Sequence, residues 1–206
     1  MSKLDRDTVI NALVQTIPYV GSPIATLYFG HKDVRRFERL ETFYSEIGLE
    51  IESFKEKLAS IDNFDAAEFR AILEEMNTQI ESEQALSKRE LYKTYFKSTL
   101  VSPVKDNFDR RKLYLDILKT LTPLMIKIFN LLVKHKKPIK TSHVVLSGIE
   151  PALVFGSIKQ LVIHGLFNSQ LDSISFGSNG GQMDEIISVS EFGMQFHEFC
   201  IHGIHH

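Results

Sequence analysis

The chain has 206 residues, 43% of them hydrophobic and 24% charged, a composition that builds a folded core rather than a disordered tail. Its 24 Lys and Arg stand against 26 Asp and Glu, so no net field favours a nucleic-acid coat protein or a polybasic membrane binder. The single cysteine, Cys200, excludes an intrachain disulfide and fits the reducing cytoplasm.

The opening residues, MSKLDRDTVINALVQ, lack the basic start, compact apolar core and small-residue cleavage site of a secretory signal. From Thr8 to Gly30 no residue is charged, and cations follow at Lys32, Arg35, Arg36 and Arg39. Such a run is long enough to cross a bilayer, but Pro18, Gly21 and Pro23 break it in the middle, and Asn11, Gln15 and Thr16 place polar groups where hydrocarbon would be. The pattern predicts a helical hairpin instead, with Ile10, Leu13, Val14 and Ile17 on one face and Ile24, Leu27, Tyr28 and Phe29 after the turn.

Between Phe37 and Ile61 apolar residues recur at alternating spacings of three and four: Phe37, Leu40, Tyr44, Ile47, Ile51, Phe54, Leu58 and Ile61. This heptad stripe predicts a helix of about 37 Å with one seam that needs a partner, and Phe43 and Leu49 widen the buried face beside it. Gly48 offers a point of close approach. The partner is either a second chain, docked on Phe37, Leu40, Tyr44, Ile47, Ile51 and Phe54, or the next helix of the same chain. That helix opens after Asp62-Asn63, with Asp65 and Glu68 at capping-box spacing, and carries Phe69, Ile72, Leu73, Met76 and Ile80 antiparallel to the first. A second capping box, Ser87 to Glu90, starts a helix with Leu91, Tyr95, Phe96 and Leu100 that stops before Pro103. Residues Asn107 to Leu121 add Phe108, Leu115, Leu118 and Leu121 to the same bundle.

The periodicity then changes. Thr122-Pro123 is an N-cap with proline at the first helical position, and that helix runs through Leu124, Ile128, Leu131 and Leu132 to a basic end at Lys134, Lys136 and Lys137. A short helix follows from Thr141 to Leu146. A longer one begins at Glu150-Pro151, with Leu153, Val154, Ile158, Leu161 and Val162 turned inward, and ends at Gly165. Two strand-like runs, Leu166 to Phe176 and Glu185 to Val189, flank the loop Gly177 to Gln182, and a last helix carries Phe192, Met194, Phe196 and Phe199. Helix, helix, helix, hairpin, helix is the order of a winged helix-turn-helix domain.

A DNA reader of that type needs Arg, Lys, Asn or Gln on the third helix and cations around it. The third helix offers Lys159 and Gln160, no arginine follows Arg111, and seven cations face seven anions from Leu113 onward. Glu150 stands at the start of the helix, where it repels phosphate. Nucleic-acid contact would fall to Lys134, Lys136, Lys137, Lys140 and Lys159, and packing or partner binding is the better expectation.

Catalytic patterns are absent. His31-Lys32-Asp33 is consecutive and cannot converge on one substrate, and the loop Gly177 to Gln182 has no following Lys-Ser or Lys-Thr to cradle phosphate. His197, Cys200, His202, His205 and His206 gather around Gly203, which gives them no fixed geometry for a metal, and His135, His143 and His164 stand singly. No HExxH, GxSxG, Walker or paired CxxC motif is present.

Four segments carry a resemblance: Ile17-Pro18-Tyr19-Val20-Gly21-Ser22-Pro23 ahead of a charged helix; Arg89-Glu90-Leu91-Tyr92 with Phe96-Lys97-Ser98-Thr99-Leu100; Ile117-Leu118 with Leu121-Thr122-Pro123-Leu124; and Val189-Ser190-Glu191-Phe192-Gly193-Met194-Gln195-Phe196. In these the chain resembles bacterial and prophage proteins that include the abortive infection alpha-like domains. The resemblance implies a helical bundle with a C-terminal winged helix and a role in phage defence, and it carries over no catalytic residue.

The expected architecture is therefore mainly α: an all-helical bundle over residues 1–121 built on a long heptad helix hairpin, then a winged helix-turn-helix domain with a small β-hairpin over residues 122–206. The expected role is a non-enzymatic interaction or regulatory protein of the cytoplasm, without cofactor or metal, that meets a protein partner or a second copy through helical faces. A winged-helix transcriptional regulator and a membrane-active effector working through residues 8–30 are the alternatives.

Overall fold

The computed structural model describes residues 34–57, 65–102, 108–177 and 180–203. The expected hairpin within residues 8–30 lies outside this set, as do Leu58 and Ile61 of the heptad stripe. The fold is mainly helical with one small three-stranded antiparallel sheet. Among the described residues no helix is long and apolar enough to cross a membrane. The described chain divides into two compact units, residues 34–119 with 199–203, and residues 120–198. The sequence pattern places the boundary at 121/122 and keeps the closing residues with the second domain, whereas the structure groups 199–203 with the first unit.

The described residues of the first unit form four helices: α1 (Val34–Phe54), α2 (Ala66–Ser82), α3 (Leu86–Val101) and α4 (Phe108–Thr120). The heptad stripe predicts a helix running on to Ile61, but α1 ends at Phe54 and tightens into a 3-10 turn, Lys55–Lys57. Asp65 caps α2 as its spacing predicts, its Oδ1 accepting the N–H groups of Ala67 at 2.9 Å and Glu68 at 3.0 Å. The expected cap at Ser87 is not used. Instead α3 starts two residues earlier, with Ala85 at the N-cap, whose own N–H is satisfied by Glu83 Oε1 at 2.9 Å.

Packing follows the apolar stripes. α1 lies against α2 and α3, and α2 against α3. Arg39 Nε donates to the Glu81 carbonyl at 2.7 Å and Tyr44 reaches Asn77, contacts that join the start of α1 to the end of α2 and set the two antiparallel. Phe43, Tyr44 and Phe96 form an aromatic cluster, with Tyr44 edge-on to both neighbours at centroid distances of 5.1 and 5.9 Å. The Tyr95 hydroxyl donates to the Arg111 carbonyl at 3.0 Å and so ties α3 to α4. Phe199 closes this unit from the far end of the chain, 5.6 Å by ring centroids from both Tyr95 and Tyr114, beside the fully buried Cys200. Arg111 lies over the Phe199 ring at 4.4 Å and donates Nη2 to the Ser102 carbonyl at 2.8 Å; its burial lowers the guanidinium pKa.

The second unit holds α5 (Pro123–His135), β1 (Ile139–Lys140), a 3-10 turn (Thr141–His143), α6 (Pro151–Ile163), β2 (Phe167–Gly177), β3 (Gly180–Val189) and α7 (Glu191–His197), which runs into a π-type turn, Glu198–His202. Thr122 caps α5 through Met125 N–H, and Lys136 ends it in the left-handed conformation, φ 59°. The expected helix from Thr141 to Leu146 is only the 3-10 turn, because Asp184 on β3 takes hydrogen bonds from Thr141 and Ser142 and pins the segment to the sheet. Strand order is β1-β3-β2, with Ile139 opposite Ile187 and Phe167 opposite Val189, and a bulge falls between Leu171 and Ser173. Met125, Ile128, Phe129, Leu132, Val154, Ile158, Leu161, Phe167, Ile187 and Phe196 form the core.

Candidate functional site

The residues that the heptad stripe offers to a partner lie mostly inside the first unit. Tyr44, Ile47 and Phe54 are buried and Leu40 is half-buried, while the side chains of Phe37 and Ile51 lie outside the described set. The seam of α1 is filled by α2 and α3 of the same chain. Leu49, expected to widen the buried face, is 83% exposed, and the space beside Gly48 is open rather than a point of close approach. Within the seam the Tyr44 hydroxyl donates to Asn77 Oδ1 at 2.6 Å, and burial raises the phenol pKa. Replacing Tyr44 with phenylalanine strands a buried amide oxygen, so the expected loss is about 1–3 kcal/mol in urea denaturation, with Asn77→Leu on top of it recovering part of that loss.

The basic residues divide into two groups. Lys140 is paired with Asp172 at 2.8 Å, which raises its pKa, and Lys159 is paired with Glu185 while lying 5.1 Å from the Phe155 ring centroid. Glu185 also accepts a hydrogen bond from Ser169, and Lys159 first, then Ser169, holds its carboxyl below the usual range. Lys134, Lys136 and Lys137 are exposed at the end of α5 and make no ion pair among the described residues.

α6 is apolar on both sides. Val154, Ile158 and Leu161 point into the core as expected, but Leu153, expected inside, is 58% exposed. Ile163 is 73% exposed, Phe155 is also exposed, and Ala152 and Gly156 complete the outward arc. Only Lys159 and Gln160 interrupt it, and Lys159 is already paired. At one flank the 3-10 turn, the loop after it and the start of α6 enclose a groove of about 610 Å3. Val144, Val145, Leu146, Ile149, Ala152 and Phe155 give it apolar walls, and Val145 is 79% exposed. Asp184 stands at its edge: Oδ1 accepts from Thr141 Oγ1 at 2.9 Å and from Ser142 N–H at 3.2 Å, and Oδ2 from Ser142 Oγ at 2.8 Å. These bonds, the Ser142 hydroxyl foremost, lower the carboxyl pKa, so the groove carries a fixed negative charge at neutral pH. Glu150, exposed and making no capping bond, does not line the groove but stands in the chain between two residues that do, Ile149 and Pro151.

The periodicity of α6 contains the signal for this face: Leu153, Phe155 and Ile163 fall off the 154, 158, 161 stripe, so one helix cannot bury both sets on one side. Among the described residues no three His, Cys, Asp or Glu side chains are grouped to hold a metal ion, and His205 and His206 lie outside them. No family model matches this chain, nor does any curated protein or solved structure match it.

Proposed function

We propose that residues 120–198 form a winged-helix module that binds protein rather than DNA, and that the chain is a non-enzymatic interaction or regulatory protein. The order α5, β1, 3-10 turn, α6, β2–β3, α7 supports the winged-helix reading, with α6 as the third helix and the hairpin as the wing. The observation that carries the function is the outward arc of α6: Ala152, Leu153, Phe155, Gly156 and Ile163 where a groove reader needs hydrogen-bonding side chains, with Asp184 at the groove edge and the exposed Glu150 at the start of the helix. An exposed apolar arc on a folded unit is the usual mark of a protein-binding surface. The resemblance to abortive infection proteins supports phage defence as the setting, with binding rather than catalysis as the contribution.

A second reading rests on Lys134, Lys136 and Lys137, which are free to meet a phosphate backbone. Fluorescence anisotropy with random duplex DNA and with DNA upstream of the gene, across a salt series, separates the two. The protein-binding reading expects no binding even at low salt. Tight binding with a steep salt slope, lost when the three lysines become alanine, makes the module a DNA-binding regulator instead.

A further inference from the structure

The second unit carries its own complement to the groove. α5 contains no acidic residue, and one of its edges sets the exposed Leu131 between the exposed Lys127 and Lys134, at i−4 and i+3. None of these lysines makes an ion pair among the described residues. The groove beside α6 is the converse surface, with apolar walls at Val145 and Phe155, an acid at its edge in Asp184, and the exposed Glu150 next in the chain to the lining residues Ile149 and Pro151. Its neighbouring cations, Lys140 and Lys159, are paired with Asp172 and Glu185, and Lys140 also acts on Asp184, so four carboxylates stand against two lysines.

We propose that the occupant of the groove is a second copy of this chain, which seats the Lys127–Leu131–Lys134 edge of α5 against the apolar walls while its lysines meet Asp184 and Glu150. The proposal rests on the protein-binding reading of the α6 face and names the partner. Because the two surfaces differ, the contact is heterologous: a dimer keeps one groove and one α5 edge unused, so association continues head to tail into rings or open chains. A single helix edge in a groove falls below the roughly 800 Å2 per partner of a stable interface, so the assembly is weak and depends on concentration. Its charged rim makes it sensitive to salt.

Sedimentation velocity on the full chain from micromolar to millimolar concentration tests this, with two variants at exposed positions. Val145→Glu blocks the groove, and Lys127→Glu with Lys134→Glu blocks the edge; circular dichroism checks that both stay folded. Wild type is expected to sediment faster as concentration rises and to lose this in high salt. Each variant alone is expected to stay monomeric, and their mixture to reach a dimer and stop there, since only one productive pairing remains. Glu150→Lys is expected to weaken association about tenfold and Lys134→Glu in the same chain to restore it. A wild type that is monomeric throughout, or a groove-blocked variant that associates as wild type does, overturns the proposal. In the first case a negative DNA titration leaves the protein-binding reading standing, whereas a positive one removes both.

Discussion

Replacing Gly193 with alanine is expected to destabilise the second unit by about 3 kcal/mol or more, at the upper end of what overpacking produces. A Cβ at this position would lie 2.2 Å from the Leu166 carbonyl oxygen and 3.0 Å from its carbon, and both are backbone atoms that cannot rotate away. The Leu166 backbone is itself fixed: its N–H donates to Leu161 and its carbonyl accepts from Ser190. Ser190 joins the two segments again, accepting the Gly193 N–H at 2.8 Å and donating to the Gly165 carbonyl at 2.6 Å. Moving α7 outward to admit one methyl group therefore breaks several buried hydrogen bonds at once. In a domain of this size each kcal/mol lowers the melting temperature by about 4–8 °C, so thermal melts read the effect directly. Tolerance of alanine within about 0.5 kcal/mol, the range of an ordinary surface change, would show that the helix does not sit this close.

Phe129→Ala is expected to lose about 3–5 kcal/mol, the range for removing a buried aromatic ring. Phe129 is fully buried, and its ring lies 5.7 Å from Phe167 on β2, 6.0 Å from Phe196 and 5.8 Å from His197 on α7, by centroids. One side chain on α5 thus holds the hairpin and the last helix together, and the void left behind cannot be filled from one direction. Phe129→Leu keeps most of the volume and is expected to cost under about half as much. Hydrogen exchange followed by mass spectrometry separates the units: protection should fall across residues 120–198 first. An alanine variant with unchanged exchange there would mean that the core is organised around other side chains.

What was legible in the chain is what local chemistry decides. The apolar stripes placed the described helices, and Asp65 and Thr122-Pro123 marked two helix starts; two strands were legible either side of the glycine-rich run, but the loop expected over 177–182 is mostly strand, since β2 reaches Gly177 and β3 begins at Gly180 rather than Glu185. β1 was invisible because two residues, Ile139 and Lys140, show no period, and they are strand only because Ile187 and Ile186 lie opposite. The start of α3 was misplaced by two residues: Ala85 rather than Ser87 is the N-cap, and Glu83, outside the helix, accepts the Ala85 N–H. At the candidate site, Lys140 and Lys159 were recognisable as cations but their state was not. The carboxylates that hold them, Asp172 and Glu185, lie far along the chain and meet them only through the fold. Leu153 went to the wrong side for a related reason, since α6 has apolar residues all round and only its neighbours decide which of them are covered.

The return of Phe199 and Cys200 to the first unit bears on how the protein is made. A ribosome emits every residue of the second unit before it reaches Phe199, so the domain begun first is finished last. Until then the rings of Tyr95 and Tyr114 and the guanidinium of Arg111 lack the side chain that covers them, and the nascent first unit exposes an aromatic face. A chain cut after Glu198 would thus injure α3 and α4, which precede the whole second unit, and that face is where chaperone contact during synthesis should concentrate.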